Sequence, residues 1–281
     1  MILSQSQIAE FGERGYLNVG RVYSDEEADR LRERMMELVA GTSRGQAEAV
    51  RNLQGEDIDL AKKVVVQIVN TWQADDRFRA HLYHPRICQM ACELIGTDVL
   101  RVWHDQVQYK PPVRGGATNW HQDHPYWPII QPADLVSAWV ALDDATIENG
   151  CMRMVVGSHK WGPHKGGTIG TNEEDFSPMP DMALVPPGTE IEIVPCEVKK
   201  GDCMFHHCLT WHGSPNNSSG KGRPAIAVHY MPGWTKYMPV GGHMMERRVD
   251  VKPGELLLGH FFPTVWDKGP IAVPESWSPD A

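Results

Sequence analysis

No stretch of this sequence approaches the roughly 20 consecutive apolar residues that a membrane span requires, and its N-terminus lacks the charged-then-apolar pattern of a secretory signal. Paired CxxC motifs are also missing, so the six cysteines (Cys88, Cys92, Cys151, Cys196, Cys203 and Cys208) do not form a zinc ribbon. Positive charge is scarce. Against 36 Asp and Glu stand 27 Lys and Arg, a formal net charge of −9, and no dense basic cluster occurs. That balance argues against binding along a nucleic-acid backbone and weighs against a highly anionic substrate. There is no internal repeat. The expectation left by these absences is a reduced, cytoplasmic protein with a small-molecule partner and no membrane or nucleic acid.

What is present suits a globular chain: 281 residues, 41% hydrophobic and 22% charged, enough to bury a substantial core. Ser4-Gln5-Ser6-Gln7 and Ser24-Asp25-Glu26-Glu27 carry capping-box spacing. After the second, Ala28, Leu31, Met35 and Leu38 recur at helical spacing and stop near Gly41. Asp75 to Ile95 reads as one or two further helices interrupted at Pro85. From Val99 the pattern changes to short extended runs: Val99 to Tyr109, Val136 to Leu142, Met152 to Val156, Ile191 to Val194, Asp202 to Phe205 and Pro224 to Met231. Several short strands with turn signals between them indicate an antiparallel sandwich or barrel. We therefore expect one domain over 1–281: a helical part to about 98, a β core over about 99–231 and an irregular tail over 232–281. Residues 42–60 read as a mobile loop. The Gly- and Pro-rich stretch 158–188 is a candidate lid over the barrel mouth.

The most informative segment is Trp120-His121-Gln122-Asp123-His124-Pro125. Read as extended chain, it puts His121 and Asp123 on one face, where both could hold one ion. A further imidazole would complete a 2-His-1-carboxylate facial triad, which keeps coordination positions open for substrate and O2. His212, 91 residues beyond His121, follows a short apolar strand, and Arg223 comes 11 residues later. A planar guanidinium near such a site suits bidentate recognition of a small dicarboxylate.

The HxD pair, the distal histidine, the spaced arginine and the phrase Glu148-Asn149-Gly150-Cys151-Met152-Arg153-Met154-Val155-Val156-Gly157-Ser158-His159-Lys160 together resemble the phytanoyl-CoA dioxygenase family, from about Leu3 to about Met231. The resemblance implies a mainly β fold, a double-stranded β-helix (jelly-roll, cupin-like) core with N-terminal helices packed on one sheet. It also implies Fe(II), with 2-oxoglutarate and O2 as cosubstrates. His121, Asp123 and His212 would be metal ligands and catalytic residues. His104, His124, His206, His207 and His229 lie near them in sequence, but His206 and His207 precede Leu209 in the strand, whereas His212 leads Gly-Ser-Pro and has Arg223 at the family spacing. Iron is preferred over zinc on the resemblance, since nitrogen and oxygen ligands suit either. Asp123 retains the carboxylate that related halogenases replace, so hydroxylation or another oxidation is expected.

Matching the family residue by residue makes Arg223 the anchor of the cosubstrate's distal carboxylate, with Trp139, Gln106 and Ser214 lining its pocket. A basic pocket residue of relatives has no clear counterpart, for the region reads Val64-Val65-Val66-Gln67, and Gln67 stands there as a neutral donor. Alternation along Arg223 to Tyr230 sends Ala225, Ala227 and His229 the same way as Arg223. His229, Tyr126, Trp127 and Trp234 are substrate candidates, and a compact, moderately polar metabolite fits them better than a long acyl chain. The implied reaction is a dioxygenase hydroxylation releasing succinate and CO2. Desaturation, epimerisation or ring formation with the same cofactors, or a non-redox cupin-like metal-binding role, are the alternatives.

Overall fold

The computed structural model describes residues 1–41, 51–52, 65–113, 116–164 and 185–276. The elements in chain order are α1 (Gln5–Arg14), β1 (Tyr16–Arg21), α2 (Asp25–Val39), β2 (Arg51–Asn52), β3 (Val66–Val69), α3 (Asp76–Leu82), α4 (Pro85–Ile95), β4 (Val99–Lys110), β5 (Thr118–His121), β6 (Ile130–Gln131), β7 (Val136–Ala141), β8 (Met152–Val155), β9 (Ile193–Cys196), β10 (Asp202–His207), β11 (His212–Ser214), β12 (Arg223–Pro232), β13 (Lys236–Tyr237) and β14 (Thr264–Asp267).

Both expected capping boxes form: Ser4 and Ser24 each accept from the backbone N–H three residues on, while Gln7 and Glu27 reach back to the cap. Each satisfies two backbone donors that a helix start would otherwise leave unpaired. Asp75 to Ile95 forms two helices, α3 and α4, as one of the two expected forms, and Pro85 stands in the first turn of α4, where its missing N–H costs nothing.

The strands form an eight-stranded major sheet in the order β1-β10-β7-β12-β4-β3-β2, with β14 also paired to β4, and a four-stranded minor sheet β5-β11-β8-β9. Every pairing in both sheets is antiparallel. Strand alternation divides the major sheet's side chains between two cores. Ala138 and Val140 of β7, Phe205 of β10, and Ile226, Val228 and Tyr230 of β12 pack outward with Leu31, Met35 and Leu38 of α2 and Ile87 and Met90 of α4. Trp139, Ala141, Met204, Ala225 and Ala227 point inward and pack with Met152, Met154 and Cys196 of the minor sheet. Helices thus cover one face of the major sheet and the minor sheet covers the other, the double-stranded β-helix that the sequence implied. This explains why all of β12 is buried.

The tail departs from the irregular reading in two respects, since β13 pairs with β6 and β14 joins the major sheet through β4. Four residues ending in Asp267 are too short for a readable alternation. Of the two candidate loops, 42–50 and 53–60 lie outside the described residues, as do 165–184 of the candidate lid; Ser158–Trp161 forms a single 3-10 turn. All six cysteines are buried and free. Among the described residues no helix is long and apolar enough to cross a membrane.

Candidate metal centre and its cavity

His121 and His212 meet because β5 and β11 are paired with these two residues directly opposite, placing the ring centroids 4.1 Å apart. Each imidazole is oriented from behind. His121 Nδ1–H donates to the Asn119 carbonyl (2.8 Å) and His212 Nδ1–H to the Thr210 carbonyl (2.8 Å), which fixes the tautomer and leaves both Nε2 lone pairs facing forward.

Asp123 reaches the same point by a route the alternation argument did not foresee. Strand β5 ends at His121, and Asp123 has right-handed helical dihedrals (φ −69°, ψ −49°) at the head of a 3-10 turn, so period-two alternation does not place it. The bend is held by Gln122, which is fully buried. Its amide donates to the carbonyls of Leu209 (2.7 Å) and Gly162 (2.9 Å) and accepts from the His164 N–H (2.8 Å). His124 turns away, its Nε2–H donating to the Ile130 carbonyl (3.0 Å).

Asp123 Oδ1 lies 3.7 Å from His121 Nε2 and 3.6 Å from His212 Nε2. Donor atoms of the three side chains all fall within 4.8 Å of one another, and no other cluster of this kind occurs among the described residues. Such separations fall within the reach of bonds of about 2.1 Å converging on one ion, so the donor set fits a divalent cation. Burial depresses the basicity of His121 and His212, which favours the neutral imidazole with its proton on Nδ1 and the Nε2 lone pair free. Burial alone would raise the Asp123 carboxyl, but His212 and the hydrogen bond from His206 outweigh it and hold it well below the usual range.

A cavity of about 360 Å³ opens beside this cluster. At one end lies Arg223, 1% exposed, with Nη1 donating to the Gly150 carbonyl (2.7 Å), Nε without a hydrogen-bond partner among the described residues, and the guanidinium carbon 5.4 Å from the Trp139 ring centroid. No described carboxylate pairs with it. Burial draws its pKa down to about 10. Trp139, itself tied through Nε1–H to Gln108 (3.0 Å), lines the cavity, as do Gln67, Gln106 and Ser214. At the other end stand Tyr126, Trp127, His104, His229, His243 and Met244. Trp127 sits 4.7 Å from the His229 ring and 5.5 Å from that of His104.

Trp234 does not belong to this group. It is 40% exposed, its Nε1–H bonds Asp134 (3.0 Å), and it is not among the cavity's walls. It follows the Gly233 turn beyond β12, where the alternation that aims Arg223 and His229 inward has ended.

Several residues at the site had no sequence signal. Ser137 and Gln122 are polar residues within apolar or motif context, and Lys110 reads only as the start of a Lys-Pro-Pro turn. Lys110 is fully buried opposite Arg223 in the β12–β4 pairing and donates to the carbonyls of Ser214 (3.0 Å) and Pro215 (2.5 Å). Burial, reinforced by Arg223, holds its pKa far below the usual lysine value.

Comparison with known proteins agrees with this geometry. Rat (Rattus norvegicus) peroxisomal phytanoyl-CoA dioxygenase is 27% identical over 266 residues, which cover 87% of this chain and 73% of that protein. The solved structure of SnoK, a non-haem α-ketoglutarate-dependent carbocyclase from nogalamycin biosynthesis, is similar at a TM-score of 0.75 and 28% identity, over 94% of this chain and 96% of SnoK. That of the epimerase SnoN with Fe3+, α-ketoglutarate and nogalamycin RO is similar at 0.72 and 25%, over 92% and 97%. Residues 11–225 match the family model described as phytanoyl-CoA dioxygenase (PhyH), and the chain belongs to that family.

Proposed function

We propose that this protein is an Fe(II)- and 2-oxoglutarate-dependent dioxygenase that hydroxylates an uncharged small organic metabolite. The observation that carries the reading is a pairing within one cavity: three convergent donors, His121 Nε2, Asp123 Oδ1 and His212 Nε2, and a buried guanidinium with no carboxylate partner among the described residues. An ionised arginine left unpaired in such a place costs several kcal/mol. A bound dicarboxylate relieves that cost.

In this reading His121, Asp123 and His212 hold the iron, which together with 2-oxoglutarate and O2 supplies the oxidation, releasing succinate and CO2. Arg223 grips the distal carboxylate, and Trp139, fixed by Gln108, gives the cosubstrate a flat wall. The buried β8 and β12 residues around it, Met152 and Ala227, keep water from the reacting groups.

The distal end of the cavity sets the substrate class. Burial pushes His229 and His243 down to about 4 and His104 well below the usual imidazole value, so all three imidazoles are uncharged near neutrality. Apart from Asp123 and Arg223, no Asp, Glu, Lys or Arg among the described residues lines the cavity. An ionised substrate would find no counter-charge among them. An uncharged molecule with a ring or apolar face can lie against Trp127 and Met244 and meet the amides of Gln67 and Gln106.

Similarity to SnoK and SnoN favours a second outcome with the same cofactors, ring closure or epimerisation. Product mass separates the three: one oxygen gained, two hydrogens lost, or no change. The test of the whole reading is metal analysis followed by a screen of uncharged metabolites for succinate formation from 2-oxoglutarate. Zinc in the native protein, with no succinate under any condition, would leave a non-redox metal-binding protein instead.

A further inference from the structure

The inner face of the major sheet carries a polar row that crosses four strands beneath Asp123. In the β10–β7 pairing His206 lies opposite Ser137, in β7–β12 Ser137 lies opposite His229, and in β12–β4 His229 lies opposite His104. The strand neighbours of this row, Phe205, Ala138 and Val228, turn outward into the helix-covered core. All four row residues are at most 5% exposed. A polar row in so apolar a setting costs stability unless each group is used.

Its use converges on one atom. Asp123 Oδ2 receives Ser137 Oγ at 3.1 Å and His206 Nε2 at 3.1 Å, whereas Oδ1 is the oxygen turned toward His121 and His212. The other nitrogen of His206, Nδ1, has no partner among the described residues, so this ring's described hydrogen bonding goes to Asp123 alone. Ser137 Oγ also lies 2.7 Å from His229 Nδ1, and His229 Nε2 lies 3.2 Å from Gln106 Nε2. An ionised carboxylate only accepts, so the Ser137 hydroxyl donates to it. The hydroxyl oxygen must then accept from His229 Nδ1–H, which leaves His229 Nε2 to accept from the Gln106 amide. Every donor in the chain runs toward Asp123. Both nitrogens of His229 are thereby engaged, so its ring lines the cavity without offering a free nitrogen to a substrate.

We propose that His206 and Ser137, backed by His229, are positioning residues that tie back one oxygen of Asp123 so that the carboxylate presents a single donor atom. The inference rests on the metal-site reading above and adds what keeps the site open. A carboxylate with two free oxygens can bind one ion through both. In an octahedral shell that would take a position needed by the cosubstrate or by O2, because three protein donors and a two-point 2-oxo acid leave one place.

The test uses Co(II) on the metal-free protein, with its visible absorption as readout and affinity measured against a competing chelator. The wild type should bind one equivalent, and the combined Ser137→Ala and His206→Phe variant should bind about 10- to 100-fold more weakly with an altered Co(II) band. His206→Gln, whose amide can still donate, should recover the wild-type band if introduced without the serine change. Should the double variant fail to fold, as judged by far-UV circular dichroism, Ser137→Ala alone removes one oxygen atom and must still shift the band. Metal binding by the wild type, with affinity and spectrum unchanged in the folded double or single variant, overturns this inference alone. Failure of the wild type to bind metal, or binding that survives His212→Ala, overturns it together with the reading beneath it.

Discussion

Replacing Arg223 by Leu separates a structural arginine from a binding one, because the two roles predict opposite signs. Without a ligand the guanidinium is buried, holds one backbone carbonyl through Nη1, and has neither a partner for Nε nor a carboxylate among the described residues. Exchanging a buried charge for an apolar side chain of similar size is often neutral or stabilising by about 1–4 kcal/mol. The ligand-free variant should therefore melt no lower than the wild type. With 2-oxoglutarate the sign reverses. Truncating one partner of a buried, charge-assisted contact costs about 2–5 kcal/mol, which is roughly 30-fold in affinity at the low end and over 1,000-fold at the high end. An anaerobic titration of the Fe(II) protein, following the charge-transfer band of the 2-oxo acid complex, reads that loss directly. Thermal shift gives an independent measure, since ligand at 100 times the wild-type Kd should stabilise the wild type by about 2.7 kcal/mol and the variant far less. Arg223→Lys keeps a cation but loses the planar fork and should fall between them. If Arg223→Leu binds 2-oxoglutarate within threefold of wild type, or loses several kcal/mol of ligand-free stability, the arginine is structural and the anchor lies elsewhere.

Three further outcomes follow from the same geometry. Asp123→Ala should abolish Fe(II) retention and succinate formation, whereas His124→Ala should retain the metal, because its ring serves the Ile130 carbonyl rather than the site; metal content after gel filtration of both variants decides, and the reverse pattern would remove the HxD assignment. Trp127→Ala should raise KM for the substrate at least 10-fold with little change in 2-oxoglutarate affinity, while Trp234→Ala, whose exposed indole bonds Asp134, should leave both unchanged. Burial pushes the Asp105 carboxyl up from 3.8 to about 7 despite hydrogen bonds from Thr71 Oγ and Trp72 N–H. The folded state then keeps a proton that the unfolded chain has released, so stability declines as pH rises from about 4 to about 7, by up to about 1.4 kcal/mol per unit. Asp105→Asn should gain on the wild type across that window and level off above it; urea unfolding at pH 5 and pH 8 showing a constant difference would contradict the shift.

Much of the architecture was legible because it is carried by local rules. Caps at Ser4 and Ser24, the helical spacing of Leu31, Met35 and Leu38, and the apolar runs that became β4, β7, β10 and β12 each announce themselves within a dozen residues. The site was legible in a different way. His121, Asp123, His212 and Arg223 were found through motif order and spacing, and the physical reason first attached to Asp123 was wrong: a bend held by Gln122, not strand alternation, brings it to the two histidines. That bend depends on carbonyls of Leu209 and Gly162, far away in sequence, which no local pattern encodes. Ser137 escaped for the same reason, since a serine within Val-Ser-Ala-Trp-Val reads as a tolerated small residue until β10 and β12 are laid on either side of it. Trp234 erred in the opposite direction, because an aromatic near a motif is conspicuous in sequence whether or not the chain still alternates when it reaches that point.

Register in β12 ties these observations together. Arg223 and His229 both point inward because they are offset by six positions, an even number, and Ala225 and Ala227 between them leave the space that a cosubstrate needs. The outward set Ile226, Val228 and Tyr230 is bulky, apolar and packed under the helices. A slip of one residue would send the guanidinium and the imidazole into that core and turn the large apolar side chains into the cavity. The two faces therefore reinforce one another: the hydrophobic packing that stabilises the helical layer also fixes which residues meet the dicarboxylate and which support Asp123. For the same reason, single substitutions on the outward face of β12 should disturb stability before chemistry, whereas an insertion of one residue between Arg223 and His229 would make their spacing odd and turn one of them into the helix-covered core, removing either cosubstrate anchoring or carboxylate support.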